Sequence, residues 1–336
     1  MGALTSYRLR LERKRWRVRA FRKRRELRSV VNRTSAIRSS DILVFSTMRN
    51  ERARLEYFLR FYRELGVNHF LMVDNASDDG SREFLREQRD VSLWTTGASY
   101  KRSRFGVDWL NWLQMRYGHG HWTLVVDPDE FFVYPFCDTR PLRALTDWLD
   151  ASSIKSFGAM LLDMYPKGAI SDVPYTPGQN PFEIANWFDS SNYTIKRNRL
   201  YGNLWVQGGP RARAFFSDLP ERAPALNKIP LVKWHRSYTY VSSTHMLLPR
   251  GLNQVYDEWG GEKASGCLLH AKFLDTFAEK SAEELTRGQH YANSHEYRAY
   301  HSKLKDDPSL WCKWSEKYIN WRQLEILGLM SKGNWA

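Results

Sequence analysis

A chain of 336 residues with 42% hydrophobic content builds a sizeable core, in one large or two modest domains. Its three widely spaced cysteines, Cys137, Cys267 and Cys312, form no CxxC pair, which speaks against a zinc cluster or a disulfide framework and for a reducing compartment. No stretch approaches the roughly 18–20 apolar residues of a membrane span, and the basic N-terminus lacks the apolar run of a secretory signal.

The net charge of +14 is unevenly spread. Residues 1–40 hold fourteen Arg and Lys against Glu12 and Glu26, so they supply twelve of those charges and the remaining chain carries +2. They read as an exposed basic arm, with Leu4, Leu9, Leu11, Trp16, Val18 and Phe21 scattered along it as a ragged amphipathic helix. A solvated tail is one reading. Attachment to an anionic membrane surface is a second, since polybasic segments are drawn there. Nucleic-acid contact is a third, and the near-neutral body argues against it.

Order is expected from Asp41. Ile42 to Phe45 is a short apolar strand. Leu55, Phe58, Leu59, Tyr62 and Leu65 recur at helical spacing, and Gly66 ends that helix. Phe70 to Val73 is a second strand, followed by the turn-rich run Asp74 to Gly80. Ser81 caps a short helix through Leu85. Val91 to Thr95 is a third strand. Phe105, Trp109, Trp112 and Leu113 mark a helix, and Trp122 to Val126 is a fourth strand that runs into Asp127. Residues 151–275 read as mixed strands and loops. From Phe277 the pattern is polar and helical, with Ala278, Leu285, Tyr300, Leu304, Trp311, Trp314 and Tyr318 as packing residues. The expected division is a basic arm (1–40), an α/β domain (41–275) and a helical C-terminal extension (276–336).

Strands alternating with helices imply a mostly parallel α/β sheet, and such sheets bind ligands at the carboxyl ends of their strands. Three polar clusters fall at those ends: Thr47 to Glu51, Asp74 to Asp79, and Asp127 to Glu130. Asp127 and Asp129 are two apart, so an extended backbone turns both to one side. Two carboxylates at the end of a buried strand suit Mg²⁺ or Mn²⁺, with phosphate oxygens and water filling the shell. Glu130 is expected to face away and hold a backbone group or a basic residue.

The run Asp127-Pro128-Asp129-Glu130-Phe131-Phe132, after Trp122 to Val126, resembles the metal-binding motif of GT-A-fold glycosyltransferases. Phe45 to Glu51 and Val73 to Ser81 resemble the first two nucleotide-binding segments of family 2 glycosyltransferases. The nearest likeness is to a bacterial branch with a D-x-D-E-F signature and a late Leu-Leu-His segment, covering roughly residues 41–275. That resemblance implies a GT-A-like fold. It implies sugar transfer, with inversion, from a nucleotide-diphosphate donor to an acceptor hydroxyl on a glycan or lipid-linked molecule. It also implies hexosyltransferase-like chemistry in polysaccharide biosynthesis, in the cytoplasm or peripherally on the inner face of the membrane. By the same resemblance Asp74 meets the base of the donor, Thr47 and Glu51 line the base and ribose pocket, and Asp127 and Asp129 hold the metal. The chain departs from many relatives by placing Asp74-Asn75 ahead of Asp78-Asp79-Gly80-Ser81.

His270, in Leu268-Leu269-His270, is a candidate third metal ligand, and His245 a weaker one. Lys101, Arg102, Arg104, Arg211 and Arg213 are candidate grips for a diphosphate. A base that takes the acceptor proton is expected from the second half: Glu183 and Asp189 first, Asp163 third. Trp187, Trp205 and Trp234 are candidate sugar-stacking rings. Two rival readings remain. A metal-dependent nucleotidyltransferase or phosphohydrolase would also pair carboxylates around Mg²⁺, but would want a glycine-rich phosphate loop that Thr47 to Glu51 lacks. A non-enzymatic membrane- or nucleic-acid-binding protein would be built around the arm.

Overall fold

The computed structural model describes residues 2–256, 263–277, 281, 303 and 307–335. The strands in chain order are β1 (Arg28–Val31), β2 (Ile42–Met48), β3 (His69–Asp74), β4 (Val91–Thr95), β5 (Trp122–Val125), β6 (Glu130–Val133), β7 (Ser156–Asp163), β8 (Trp187–Asp189), β9 (Tyr193–Asn198), β10 (Asn203–Gly208), β11 (Asn227–Lys233), β12 (Thr239–Ser242), β13 (Met246–Leu248), β14 (Gly266–His270) and β15 (Ser315–Lys317). The helices are α1 (Ala3–Lys23), α2 (Arg52–Glu64), α3 (Ser81–Glu87), α4 (Val107–Tyr117), α5 (Leu142–Ala151), α6 (Gly209–Phe215) and α7 (Trp321–Ile326).

Nine strands form one mixed sheet in the order β1-β4-β3-β2-β5-β11-β7-β14-β6. β2, β3, β4, β5, β7 and β14 run one way, and β1, β11 and β6 run against them. The architecture is α/β, with a mostly parallel central sheet flanked by helices. β2 is buried at every residue, as expected of a strand covered on both faces. Its alternation divides the core. Ile42 and Val44 pack with Leu55, Phe58 and Leu59 of α2 and Leu145 of α5, while Leu43 and Phe45 pack with Trp109, Leu110 and Leu113 of α4.

The order β4-β3-β2-β5 has one consequence for function. From β2 the chain steps outward to β3 and β4, then returns to the other side of β2 as β5. The connections therefore leave β2 and β5 in opposite directions, and a crevice opens at their carboxyl ends. β5 then ends at Val125, and the link Val126 to Asp129 carries the chain to β6 at the far edge. The edge it crosses also receives the ends of β7 and β14 and the start of the reversed β11.

Residues 1–40 are not a detached arm. β1 joins the sheet beside β4, with Arg28 opposite Thr95. α1 lies on α4: Arg19 pairs with buried Asp108 at 2.7 Å, the Trp109 indole donates to Glu26 at 2.8 Å, and Glu12 accepts from Tyr201 at 2.7 Å. The C-terminal extension also departs from the expected all-helical form. β15 pairs with β8, and Trp321 and Leu324 of α7 are buried. Trp314 is exposed rather than packed, and Trp311 lies at the edge of exposure; Tyr318 packs on the core. The expected packing residues Ala278, Leu285, Tyr300 and Leu304 lie outside the described residues. Gly80, not Ser81, caps α3. Among the described residues no helix is long and apolar enough to cross a membrane.

Because β1 covers the β4 edge and α1 places Arg19 on Asp108 beside Arg104, deletion of residues 1–38 should uncover the edge and remove one of the two cations on Asp108. The truncated chain is expected to melt at least roughly 5 °C lower and to self-associate through the uncovered strand. An unchanged thermal midpoint and a monodisperse product would contradict this placement of the N-terminal segment.

Candidate functional site

The loops after β2 and β3 are stitched to each other. The backbone N–H of Asn50 donates to Ser77 Oγ at 3.0 Å, that of Glu51 to Ser81 Oγ at 3.1 Å, and that of Arg52 to Asp79 at 2.8 Å. Asn50 accepts from the Asp78 N–H at 3.1 Å, and the Arg49 guanidinium donates to the carbonyls of Asn75 and Ala76. These bonds fix two of the three expected polar clusters as one rim. Asp74 serves the stitching rather than the cleft. Fully buried, it accepts from the Ser77 N–H at 3.0 Å, Arg82 at 3.1 Å and Thr95 at 3.1 Å. The residue that reaches the cleft is its neighbour Asn75, anchored by the carbonyls of Thr96 and Ala98. Adjacent residues of an extended strand point to opposite sides, and that is the reason for the exchange.

The cleft holds about 990 Å³ and is lined by Thr47, Glu51, Asn75, Asp127, Asp129 and Glu130. Its far wall comes from Trp205 and Gln207 of β10 and His245 between β12 and β13. Seven cationic side chains also line it: Arg49, Arg54, Arg104, Arg211, Arg222, Lys228 and Lys272. Thr47 Oγ1 is buried on this wall and has no hydrogen-bond partner. Gly106 presses on it from behind. Its φ is +78°, and a Cβ there would sit 2.9 Å from Thr47 Oγ1.

The floor is a chain of charges. Asp129 Oδ2 lies 3.2 Å from His270 Nε2, His270 Nδ1 lies 2.7 Å from Asp163 Oδ1, and Arg211 Nε donates to Asp163 Oδ2 at 2.6 Å. Burial alone would lower the imidazole pKa of His270, but Asp129 and Asp163 outweigh it and the net shift is upward. Burial would raise Asp129, yet His270, Arg54 and Lys272 hold it well below the usual carboxylate range. Asp163 is likewise held down, by Arg211 and His270 against its burial. Asp127 goes the other way. The enclosed floor and the neighbouring Glu130 push its carboxyl up to about 7, with Lys228 opposing. Asp127 is open to cleft water, which tempers that shift.

Glu130 holds the backbone and basic groups expected of it but does not face away: residues 127–130 form a turn, closed by the Glu130 N–H to the Asp127 carbonyl at 3.0 Å, and Glu130 lines the cleft with Asp127 and Asp129. It accepts from the Asp127 N–H at 3.2 Å and pairs with Lys228 at 3.0 Å. His245 is fixed in one tautomer, because its Nδ1 faces the Asn227 carbonyl at 2.6 Å and must donate to it. Burial and the nearby Lys228 lower its pKa to about 3, so the ring is neutral.

Other expected site residues lie elsewhere. Glu183 is exposed, bonded to Gln179, and does not line the cleft. Asp189 is buried under Arg213, at 2.8 Å and 2.9 Å, and under the Tyr165 hydroxyl. Neither can receive a proton from a molecule in the cleft. Asp163 is the partner of His270 rather than a base. Arg213 is spent on Asp189. Trp187 packs on Trp311, and Trp234 is a core ring against Tyr240. Trp205 does line the cleft. Sequence reading passed over Lys228, Arg54 and Asn75; for Lys228 the signal was a charge ahead of the apolar run Ile229–Val232 within one strand.

Among the described residues no three or more His, Cys, Asp or Glu close on a point as a metal cage. A cation would need ligand oxygens as well, which is ordinary for Mg²⁺. The donor set fits one. If His270 Nδ1 donates to Asp163, the bare Nε2 lone pair faces Asp129 at 3.2 Å. Two acceptors at that distance require a proton or a cation between them. Comparison of the chain with protein-family models and with curated proteins gives no match.

Asp163 pairs with two buried groups, Arg211 and His270, so removing it takes a carboxylate partner from both. Asp163→Ala is expected to cost about 3–5 kcal/mol, read as a lower denaturant midpoint. A midpoint equal to the wild type would show that the chain of charges does not hold the floor.

Proposed function

We propose that this chain is a GT-A-type glycosyltransferase that moves a sugar from a nucleotide-diphosphate donor to an acceptor hydroxyl with Mg²⁺ or Mn²⁺. One observation carries the reading. The loops after β2, β3 and β5, far apart in sequence, line one cleft at the switch point of the sheet, with Asp127 and Asp129 at its floor. A carboxylate pair inside a ring of seven cationic side chains suits a ligand that is anionic and arrives with a cation.

In this reading the rim of Thr47, Glu51 and Asn75 takes the nucleoside. Asp127, Asp129 and His270 would hold the metal, with Asp163 orienting the imidazole from behind. When bound, the metal neutralises charge on the departing nucleoside diphosphate. Lys228, Arg211 and Lys272 add fixed positive charge around the same oxygens. The acceptor hydroxyl must lose a proton. Of the carboxylates lining the cleft, Glu51 pairs with Arg54, Glu130 with Lys228 and Asp129 with His270. With Asp127 at the metal, Glu221 remains as the group placed to take it.

A nucleotidyltransferase or phosphohydrolase would use the same carboxylates, and its product separates it. Turnover of a nucleotide sugar to nucleoside diphosphate supports sugar transfer; release of nucleoside monophosphate supports the rival. Binding gives the first test. UDP, GDP or dTDP with Mn²⁺ should raise the melting temperature, with about 2.7 kcal/mol of stabilisation at a hundredfold excess over Kd. Asp129→Ala should lose the Mn²⁺-dependent part. An Asp129→Ala protein that still shows the full Mn²⁺-dependent shift would remove Asp129 from the metal site.

A further inference from the structure

α1 carries apolar residues on two opposite faces. Leu9 and Ala20 are buried and Trp16 stacks against Arg104, 4.1 Å from guanidinium to ring centroid, so this face is fastened to the body. The opposite face is open from Leu4 to Val18, and at its end the Phe21 ring meets Trp112 of α4 edge-on at 5.6 Å, under the Arg24 guanidinium. Leu4 is 86% exposed, Tyr7 61%, Leu11 46%, Val18 50% and Phe21 49%. Their spacings of three, four, seven and three residues place them in one stripe of about 100° on the helix. Arg8, Arg15 and Arg22, seven apart and exposed, form a row along one flank. Arg10 lines the other and Lys14 projects within the stripe, between the lines of Phe21 and Tyr7; both are exposed. The acidic residue of α1, Glu12, lies on the fastened side, bonded to Trp16 and Tyr201.

From this face we infer that α1 is a membrane-docking helix whose stripe enters the interface of an anionic bilayer. The shape and the charge favour that occupant over others. The stripe is a straight ridge about 30 Å long, not a groove. Its apolar residues share the middle with Lys14, while Arg8, Arg15 and Arg10 flank it, and the long stems of all four cations reach lipid phosphates. A nucleic acid would place the cations at the centre and leave Leu4, Leu11 and Val18 without a partner. Because the helix is already folded against α4, docking does not have to order it. Arg104 lines the cleft and lies against Trp16, so the bilayer would sit beside the β12–β13 wall. A membrane-borne acceptor would then lie within reach; that clause alone rests on the sugar-transfer reading.

Co-sedimentation of the full chain tests it without any turnover, using phosphatidylcholine vesicles with and without phosphatidylglycerol. The chain should pellet with the phosphatidylglycerol vesicles and be released by high salt. A Leu4→Ser/Leu11→Ser/Val18→Ser variant keeps every charge, and its exposed positions leave the fold alone. It should bind about tenfold more weakly. A variant carrying Arg8→Gln, Arg15→Gln and Arg22→Gln keeps the stripe and should lose the preference for the anionic lipid. Failure of the wild type to pellet, or equal binding by the serine variant, would overturn the inference. So would preferential binding of duplex DNA when it competes with the vesicles.

Discussion

His270 stands between two carboxylates, and the edge of the sheet is organised around it. Its ring bridges Asp163, at the end of β7, and Asp129, in the link from β5 to β6. The backbone repeats the tie: the Ala271 N–H donates to the Asp129 carbonyl at 2.8 Å, and the Met164 N–H to the His270 carbonyl at 3.0 Å. A buried imidazole with one carboxylate would be an ordinary core contact. With two, and with Arg211 behind the second, it becomes a fixed dipolar chain that ends at the cleft. The low proton affinity of Asp129 follows from His270 together with Arg54 and Lys272, and it keeps the carboxylate ionised at the cleft floor.

Sheet topology supplies what the chain of charges needs. β7, β11, β14 and β6 are neighbours, and each brings one charged residue to the same edge: Asp163, Lys228, His270 and Glu130. Lys228 arrives there because β11 runs backward, so its first residues meet the last residues of its neighbours. On the other side of the crevice, the stitched loops after β2 and β3 present hydroxyl and amide groups.

The first half of this arrangement was legible because it is local. β2, β3, β4 and β5 are short, mainly apolar runs followed by polar or turn residues, and the helical spacing between them implies a parallel sheet. The Asp127 and Asp129 pair stood out for the same reason. The second half was not legible because its partners are distant. Glu183 and Asp189 look like plausible bases in sequence, and only Arg213, Tyr165 and Gln179 reveal how they are used. Asp74 and Asn75 differ by one position, and the side each faces is decided by the strand. β6 was hidden because Phe131 to Val133 read as padding for the metal motif. α1 looked ragged because its two apolar faces overlap into a nearly even distribution.

The account stands on Asp129 and His270 gripping a cation at the floor of the cleft. An anomalous-scattering map from crystals soaked with Mn²⁺ and a nucleoside diphosphate tests that most directly. It should show one peak about 2–2.5 Å from a carboxylate oxygen of Asp129 and within bonding reach of the His270 Nε2. Nucleotide density in the cleft with no metal peak there, or a metal peak held away from both residues, would contradict it.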